Sequence, residues 1–347
     1  MLKVAVVGAT GYSGIELLRL LDNHPNVKIC KVISGSTDGQ MLADIYPHLT
    51  GHFSLSLENL DVVSLAKEVE LVFFATPSGV SSKYVPQLLE HGIKCIDLSG
   101  DFRLNKVEDF APWYKHQPAA QKYLDQAVYG LSELFADQLS SAQLVANPGC
   151  YPTATLLALI PALQGKLIKP ESIVIDGKSG VSGAGRGLSL TTHFSEVNEN
   201  LKAYKLGVHQ HIPEIQQLIT KLSGEQVSVT FTTHLIPITR GMMCTIYADL
   251  QDPGITTETV VEYYQKYYHD QAFIRISPAG TQPVTKQVLG SNYCDLGFVV
   301  EPRTGKLIMI SVIDNLTKGA AGQAVQNMNL VMGWPQTTGL INVPMYP

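Results

Sequence analysis

The sequence predicts an α/β protein in two parts: a doubly wound parallel-sheet domain, then an α+β domain built on a mixed sheet. Three observations carry that expectation. Short apolar runs alternate with helix-periodic segments through about residue 147, the pattern of strands and crossover helices in a parallel sheet. A glycine-punctuated turn, Gly8 to Gly14, joins the first apolar run to the first helical segment. Beyond residue 148, strand-like runs follow one another with fewer helices between them, as expected when helices cover one face of a mixed sheet.

Lys3-Val4-Ala5-Val6-Val7 reads as a strand buried on both faces, and Ile15, Leu17, Leu18 and Leu21 recur at helical spacing. Between them lies Gly8-Ala9-Thr10-Gly11-Tyr12-Ser13-Gly14, a G-x-x-G-x-x-G variant of the dinucleotide fingerprint in its strand–turn–helix context. Gly8 allows the tight turn, Gly11 lets backbone N–H groups approach a pyrophosphate, and Gly14 lets the helix pack on the strand. Thr10, Tyr12 and Ser13 share that turn and are assigned to the cofactor with it. The next strand, Val27 to Ile33, ends at Ser34-Gly35-Ser36-Thr37. An NAD site usually places Asp or Glu there for the ribose 2′-hydroxyl. Hydroxyls without a carboxylate favour NADP, with Ser34 and Ser36 as the candidate contacts. Leu71 to Ala75 reads as a strand ending in Thr76-Pro77-Ser78-Gly79, and ligands bind beyond such strand ends, so Pro77 joins the cofactor set. Val80 to His91 reads as a helix and Lys94 to Leu98 as a strand leading to Arg103. Arg103 either grips an anion by two hydrogen bonds or pairs with Asp97 or Asp101.

Asn147-Pro148-Gly149-Cys150-Tyr151-Pro152-Thr153 precedes the apolar stretch Ala154 to Ile160. The stretch reads as a buried helix with Pro152 in its first turn, where a missing N–H costs nothing. Cys150 then lies at a helix N-terminus, where the dipole favours thiolate, the nucleophilic form; the alternative is a small core cysteine. Ser172 to Asp176, Val227 to Thr233, Met242 to Leu250, Tyr293 to Val300 and Leu307 to Ile313 read as strands, and Thr257 to Tyr268 as a helix. The run Ser179 to Gly187 follows a strand and either wraps an anion or forms a surface loop. His209 and His211, ahead of Pro213 and Glu214, are a candidate acid/base pair or structural histidines. No third ligand accompanies them in a metal-binding motif, so no metal is expected. The stripe Tyr263, Tyr264, Tyr267, Tyr268 reads as packing. The final helical stretch, Gly319 to Met332, is rich in small residues and is expected to return to the first domain. The domains are then 1–147, rejoined by 314–347, and 148–313.

Apolar residues form 45% of the 347 and charged ones 16%, enough for two well-filled cores. A net charge of -5 without a dense basic block argues against a nucleic-acid partner. No apolar run reaches membrane-span length, Pro161 interrupting the longest. Five scattered cysteines without a C-x-x-C argue for a reducing, cytoplasmic setting, and the chain opens on a strand rather than a signal region.

Taken together these segments resemble the N-acetyl-gamma-glutamyl-phosphate reductases, relatives of aspartate-semialdehyde dehydrogenase. The marks are the Gly8–Gly14 turn, Asp97–Arg103, Asn147–Thr153, Lys178–Arg186, His209–Ile215, His234–Gly241 and Asp314–Gln323, spanning nearly the whole chain. Gly35 departs from an Arg common in the family, and Ser78 from a His. The resemblance implies NADPH-dependent reduction of a small acyl phosphate to an aldehyde, through a thioester on Cys150, in arginine biosynthesis. His211 is the preferred proton carrier, with His209 beside it. The resemblance further implies Arg103 and Asn147 near the phosphate and reacting carbonyl, Ser182 and Arg186 at the substrate, and Ser179, Gly180 and Asn315 at the cofactor. It also implies a homodimer or homotetramer. Rival readings are a reductase of carrier-linked aminoadipyl phosphate or of aspartyl phosphate, and a non-catalytic NADP sensor.

Overall fold

The computed structural model describes residues 1–35 and 37–346. The chain forms two compact units, Met1–Pro148 with Ala320–Ile341, and Gly149–Gly319 with the tail from Asn342.

The first unit is a doubly wound α/β domain. Its strands are β1 (Leu2–Val7), β2 (Val27–Ile33), β3 (Leu57–Glu58), β4 (Leu71–Phe74), β5 (Lys94–Asp97), β6 (Ala127–Tyr129) and β7 (Leu144–Ala146). All pair in parallel, in the order β3-β2-β1-β4-β5-β7-β6. β4 is buried at every position, as expected of a strand with helices on both faces. The strand order reverses between β1 and β4, which opens a crevice at their carboxyl ends.

The returning C-terminal helix occupies Gly322–Val331, after a π-helical turn at Thr317–Ala321. Gly130 leaves room for its Asn327 side chain, where a Cβ would lie 2.3 Å away, and a buried polar network holds the helix there. Gln323 Nε2 donates to the Gly130 carbonyl and to Ser132 Oγ, Gln326 Nε2 to Glu133, and Asn327 Nδ2 to Gly130 O and Asn147 Oδ1. Such a network is stabilising because its buried polar groups find one another.

The second unit is built on a mixed sheet, β12-β13-β14-β11-β8-β10-β9. Its strands are β8 (Val174–Gly180), β9 (Lys202–Ala203), β10 (Thr230–Ile236), β11 (Met242–Asp249), β12 (Ile274–Ile276), β13 (Cys294–Glu301) and β14 (Lys306–Ile313). β8 starts and ends later than the sequence suggests. Pro170–Ser172 forms a 3-10 turn, and β8 is paired on both sides as far as Ser179 or Gly180, antiparallel to β11 and parallel to β10. Ser179 and Gly180 are therefore strand residues, and the expected loop begins only at Val181. β10 shifts in step, because Thr230 registers with Val174 and Ile236 with Gly180.

The helix Cys150–Gln164 is buried from Tyr151 to Leu163, an all-round apolar helix of the kind found inside a core. It packs against the helix His211–Ser223 and against β11 and β14. Pro161 does not end it; the helix runs through to Gln164. Proline has no N–H for the Leu157 carbonyl four residues back, and Tyr268 Oη fills that vacancy at 2.7 Å. Tyr264 Oη donates to the neighbouring Ala158 carbonyl. Tyr268, at the cap of the Thr257–Tyr267 helix, thus repairs a proline break in a buried helix.

Tyr268→Phe should lower stability by about 1–3 kcal/mol, the cost of a buried carbonyl left unbonded. Adding Pro161→Ala should recover most of that loss by restoring the amide donor. Urea denaturation of both variants checks this; equal losses in the single and double variants would contradict it.

Candidate active site

Cys150 is the first residue of its helix, with Gly149 at the N-cap in extended geometry. The N–H of Gly149 donates to Glu214 Oε1 at 2.9 Å. Glu214 is fully buried and stands three residues after His211 on the His211–Ser223 helix. Residues three apart share a helix face, so one face presents both the imidazole of His211 and the carboxylate that ties down the cysteine segment. A Cβ on Gly149 would lie 2.3 Å from His211 Nε2. Only glycine leaves room for that ring. On another side, a Cβ on Gly319 would come within 2.7 Å of the Cβ of Cys150.

The two histidines face each other, ring centroids 4.7 Å apart. His211 begins the helix while His209 lies before it, so the i, i+2 pair is neither one strand face nor two helix faces. The backbone N–H of His211 donates to His209 Nδ1 at 3.2 Å, which fixes the His209 proton on Nε2 when the ring is neutral. Burial, reinforced by Lys205, lowers the pKa of His209 to about 4. Both rings pack edge-on to Tyr151. Tyr204 packs on His209, and its hydroxyl donates to that of Tyr151 at 3.3 Å. Burial pushes both phenols up, so each stays protonated. The Tyr151 ring lies against Gly177 of β8, where a Cβ would come within 2.4 Å of it.

Elsewhere in this unit, Asn315 is buried, its Oδ1 accepting from the Gly241 N–H at 2.7 Å and its Nδ2 donating to Ser182 Oγ at 2.9 Å. Asp314 beside it is fully buried and bonds Arg240 and the Gly290 and Thr317 amides. Ser179 is buried and donates to the Gly180 carbonyl. Arg186 lies on the exposed stretch after the 3-10 turn Val181–Ala184.

In the first unit the glycine turn has two tightly required positions. Gly8 has φ +84° and its Cβ would meet the Ala75 carbonyl oxygen at 2.3 Å; a Cβ on Gly14 would meet Gly8 O at 2.2 Å. Gly11 is different, since its Cβ would make only ordinary contact at 3.4 Å. The helix it caps, Tyr12–Asp22, has neither a side-chain cap nor an acidic residue in its first turn. A helix start of that kind suits an anion. At the end of β2, Ser34 Oγ meets Thr10 Oγ1 at 3.2 Å and accepts from Thr37 Oγ1 at 2.8 Å. Tyr46 Oη supports the turn by donating to the Thr10 carbonyl. Ser36 lies outside the described residues. Tyr12 and Ser13 open the helix, and Pro77 is exposed on the turn after β4, where Ser78 Oγ donates to Ser99 O. The turn, the helix start and the hydroxyl trio fit a dinucleotide.

Arg103 is buried and donates to the carbonyls of Asn147 and Leu98 at 2.7 and 2.8 Å. Asn147 is fully buried, its Oδ1 accepting from Asn327 and its Nδ2 donating to Ala320 O at 3.2 Å. Asp101 bonds the Gly79 and Ser82 amides and Ser81 Oγ, and faces His116. Residues to which the sequence assigned no role are Glu214, Tyr204, Gly319 and Thr37. For Glu214 a signal existed, an acid at i+3 from His211; the others depend on contacts distant in sequence.

Residues 3–142 match the family model described as semialdehyde dehydrogenase, NAD binding domain, and residues 150–315 match semialdehyde dehydrogenase, dimerisation domain. N-acetyl-gamma-glutamyl-phosphate reductases of Geobacillus sp. (strain WCH70) and Oceanobacillus iheyensis are 51% and 49% identical to the chain, over 100% of both partners in each case. Among solved structures, aspartate semialdehyde dehydrogenase II of Vibrio cholerae superposes with a TM-score of 0.72 at 18% identity, covering 96% of this chain and 98% of that one. The Candida albicans aspartate semialdehyde dehydrogenase with NADP gives 0.69 at 15% identity, with 96% and 98% coverage. These two likenesses concern the fold.

Folded His209 titrates near 4 against 6.5 for the unperturbed side chain. The unfolded chain therefore binds more protons between those values. The contribution of this group is complete above pH 6.5 and lost as pH falls toward 4. Between pH 7 and 5 the wild type should lose about 2 kcal/mol through this group, and His209→Asn should lose correspondingly less. Denaturation curves at the two pH values check the difference; identical pH slopes would contradict a neutral, buried His209.

Proposed function

The chain belongs to the N-acetyl-gamma-glutamyl-phosphate reductase family, and from that premise we propose that Cys150, His211 and Glu214 carry the reduction of N-acetyl-gamma-glutamyl phosphate to its semialdehyde. The observation that supports this assignment is the pinning of the cysteine helix start, with Glu214 on the Gly149 amide and His211 Nε2 against the Gly149 backbone.

Cys150 thiolate, favoured at a helix N-terminus, attacks the acyl carbon. A C–S bond forms, the C–O bond to phosphorus breaks, and inorganic phosphate leaves. The nicotinamide dinucleotide, when bound, supplies the hydride that converts the resulting thioester to the aldehyde oxidation level. The positive end of the Cys150 helix stabilises negative charge developing on the carbonyl oxygen. His211 gives that oxygen a proton and takes it back as the C–S bond breaks, releasing the semialdehyde and restoring the thiolate. His209 is the poorer proton carrier at neutral pH, since its low pKa and its bond to the His211 amide keep it neutral; it orients His211. Glu214 acts as a positioning residue. Arg103 and Asn147 hold the strand ends that lead into Pro148 and Gly149. Ser182 and Asn315 form a second polar group, which we assign to substrate and cofactor, and Arg186 remains a candidate for the substrate's charged end.

The cofactor is a nicotinamide dinucleotide, and we assign NADP. The support is the trio Thr10, Ser34 and Thr37 at the end of β2, hydroxyls that bond a 2′-phosphate without the repulsion an Asp would impose. Gly8, Gly11 and Gly14 with Tyr12 and Ser13 take the pyrophosphate, and Ser36 and Pro77 stay in the set by position. We also read the enzyme as a homodimer or homotetramer, since the family model matched by residues 150–315 is a dimerisation domain. We place it in the cytoplasm, in keeping with five scattered cysteines that form no C-x-x-C. Among the described residues no helix is long and apolar enough to cross a membrane.

Phosphate-dependent reduction of NADP should proceed with N-acetylglutamate semialdehyde and run at least about 100-fold slower with aspartate semialdehyde, a difference of specific polar recognition. Comparable rates with the two would overturn the substrate assignment. Gly35 has nothing within 4 Å of its Cβ position and no positive φ. Gly35→Arg should therefore be tolerated and lower KM for NADPH by roughly 5–10-fold through a charge-assisted bond, leaving NADH unchanged. An equal effect on both donors would refute the placement of the 2′-phosphate.

A further inference from the structure

Between the 3-10 turn Val181–Ala184 and His209 the second unit extends a long arm. Leu188, Leu190, Phe194, Leu201, Leu206 and Val208 are each more than half exposed on it, Leu188 completely. So many large apolar side chains along some twenty residues amount to a surface that water does not favour. The arm is not a loose tether. At its start, Val181 and Ser182 bond the Ile238 and Thr239 carbonyls, and Ser182 Oγ accepts from Asn315. Midway, Lys202 Nζ bonds the Thr191 carbonyl, and β9 adds the arm to the edge of the sheet beside β10. At its end, the Tyr204 carbonyl accepts from Thr233 Oγ1, the Tyr204 hydroxyl meets Tyr151, and its ring packs on His209.

We propose that this arm docks a second copy of the chain, and that docking holds Tyr204 and His209 in register with the active cysteine. The proposal rests on the homo-oligomer reading above and names its surface. Three observations favour a second copy over another partner. The arm lies wholly within residues 150–315, the part matched by a dimerisation domain. Its charges are mixed, with Arg186, Lys202 and Lys205 against Glu196 and Glu199, which suits a self-complementary two-fold contact better than a nucleic acid or an anionic membrane. Its apolar side chains alternate along the chain with Ser189, Thr191, Thr192, Ser195, Asn198 and Asn200, a composition in keeping with apolar anchors set among polar contacts at an interface. The arm ends in the aromatic group around the two histidines, so ordering it on a partner orders Tyr204, a positioning residue for His209.

Sedimentation velocity and turnover measured together from nanomolar to micromolar protein test this on the wild type and on Leu190→Ser/Phe194→Ser. The wild type should be a dimer or larger. The variant should be monomeric over the same range, its dissociation constant raised by about 100-fold or more by loss of apolar anchors. Its kcat should fall and recover at high protein concentration, with KM for NADPH unchanged. A variant that associates like the wild type would overturn the arm while leaving the oligomer intact; a wild type that is monomeric at micromolar concentration would overturn the oligomer reading itself. Hydrogen exchange on the wild type guards against a variant that misfolds. Amides 186–206 should lose protection on dilution through the dissociation range, and exchange that ignores concentration would overturn the proposal.

Discussion

The bond from the Gly149 amide to the buried carboxylate of Glu214 is the constraint on which the catalytic unit depends. It fixes the start of an apolar helix to the start of a second helix, and so fixes Cys150 relative to His211. Leaving a buried carboxylate without its donor is costly, which makes the join resistant to slippage. The glycines complete it: Gly149 admits the His211 ring, Gly177 the Tyr151 ring, and Gly319 the Cβ of Cys150. Each is a place where a methyl group would push Cys150, His211 or Tyr151 away.

A second constraint operates farther along the same helix. Pro161 interrupts the hydrogen-bond ladder inside the core, and Tyr268 restores it from a separate element. Proline in a buried helix is tolerated only where something replaces the lost donor. The helix that presents the cysteine is thus held at its start by a carboxylate and at its middle by a phenol.

Much of this was legible in local sequence. The strand–glycine–helix start, the cysteine ahead of a long apolar helix and the two histidines are signals written within about ten consecutive residues, the range over which periodicity and capping speak. What escaped was set by partners far away. The ends of β8 and β10 follow from their mutual register, so Ser179 and Gly180 moved from an expected loop into a strand. Pro161 interrupts the apolar run in the sequence, yet the helix continues through it, helped by a tyrosine more than a hundred residues on. The resemblance implied Asn147 near the reacting carbonyl, and local sequence carries no sign that its amide bonds Asn327 and Ala320. Arg103 left open a choice between an anion and an aspartate; the structure shows it donating to the backbone carbonyls of Leu98 and Asn147. Glu214 was visible in the motif, yet its role appears only when two helices are brought together.

In the proposed reaction Cys150 carries the acyl group. Intact-mass and peptide mass spectrometry of the enzyme mixed with the acyl phosphate, without a hydride donor, tests it directly. An N-acetylglutamyl adduct should be confined to the peptide containing Cys150, released by hydroxylamine and absent from Cys150→Ser. An adduct on another residue, or full turnover by Cys150→Ser with no adduct at all, would contradict it.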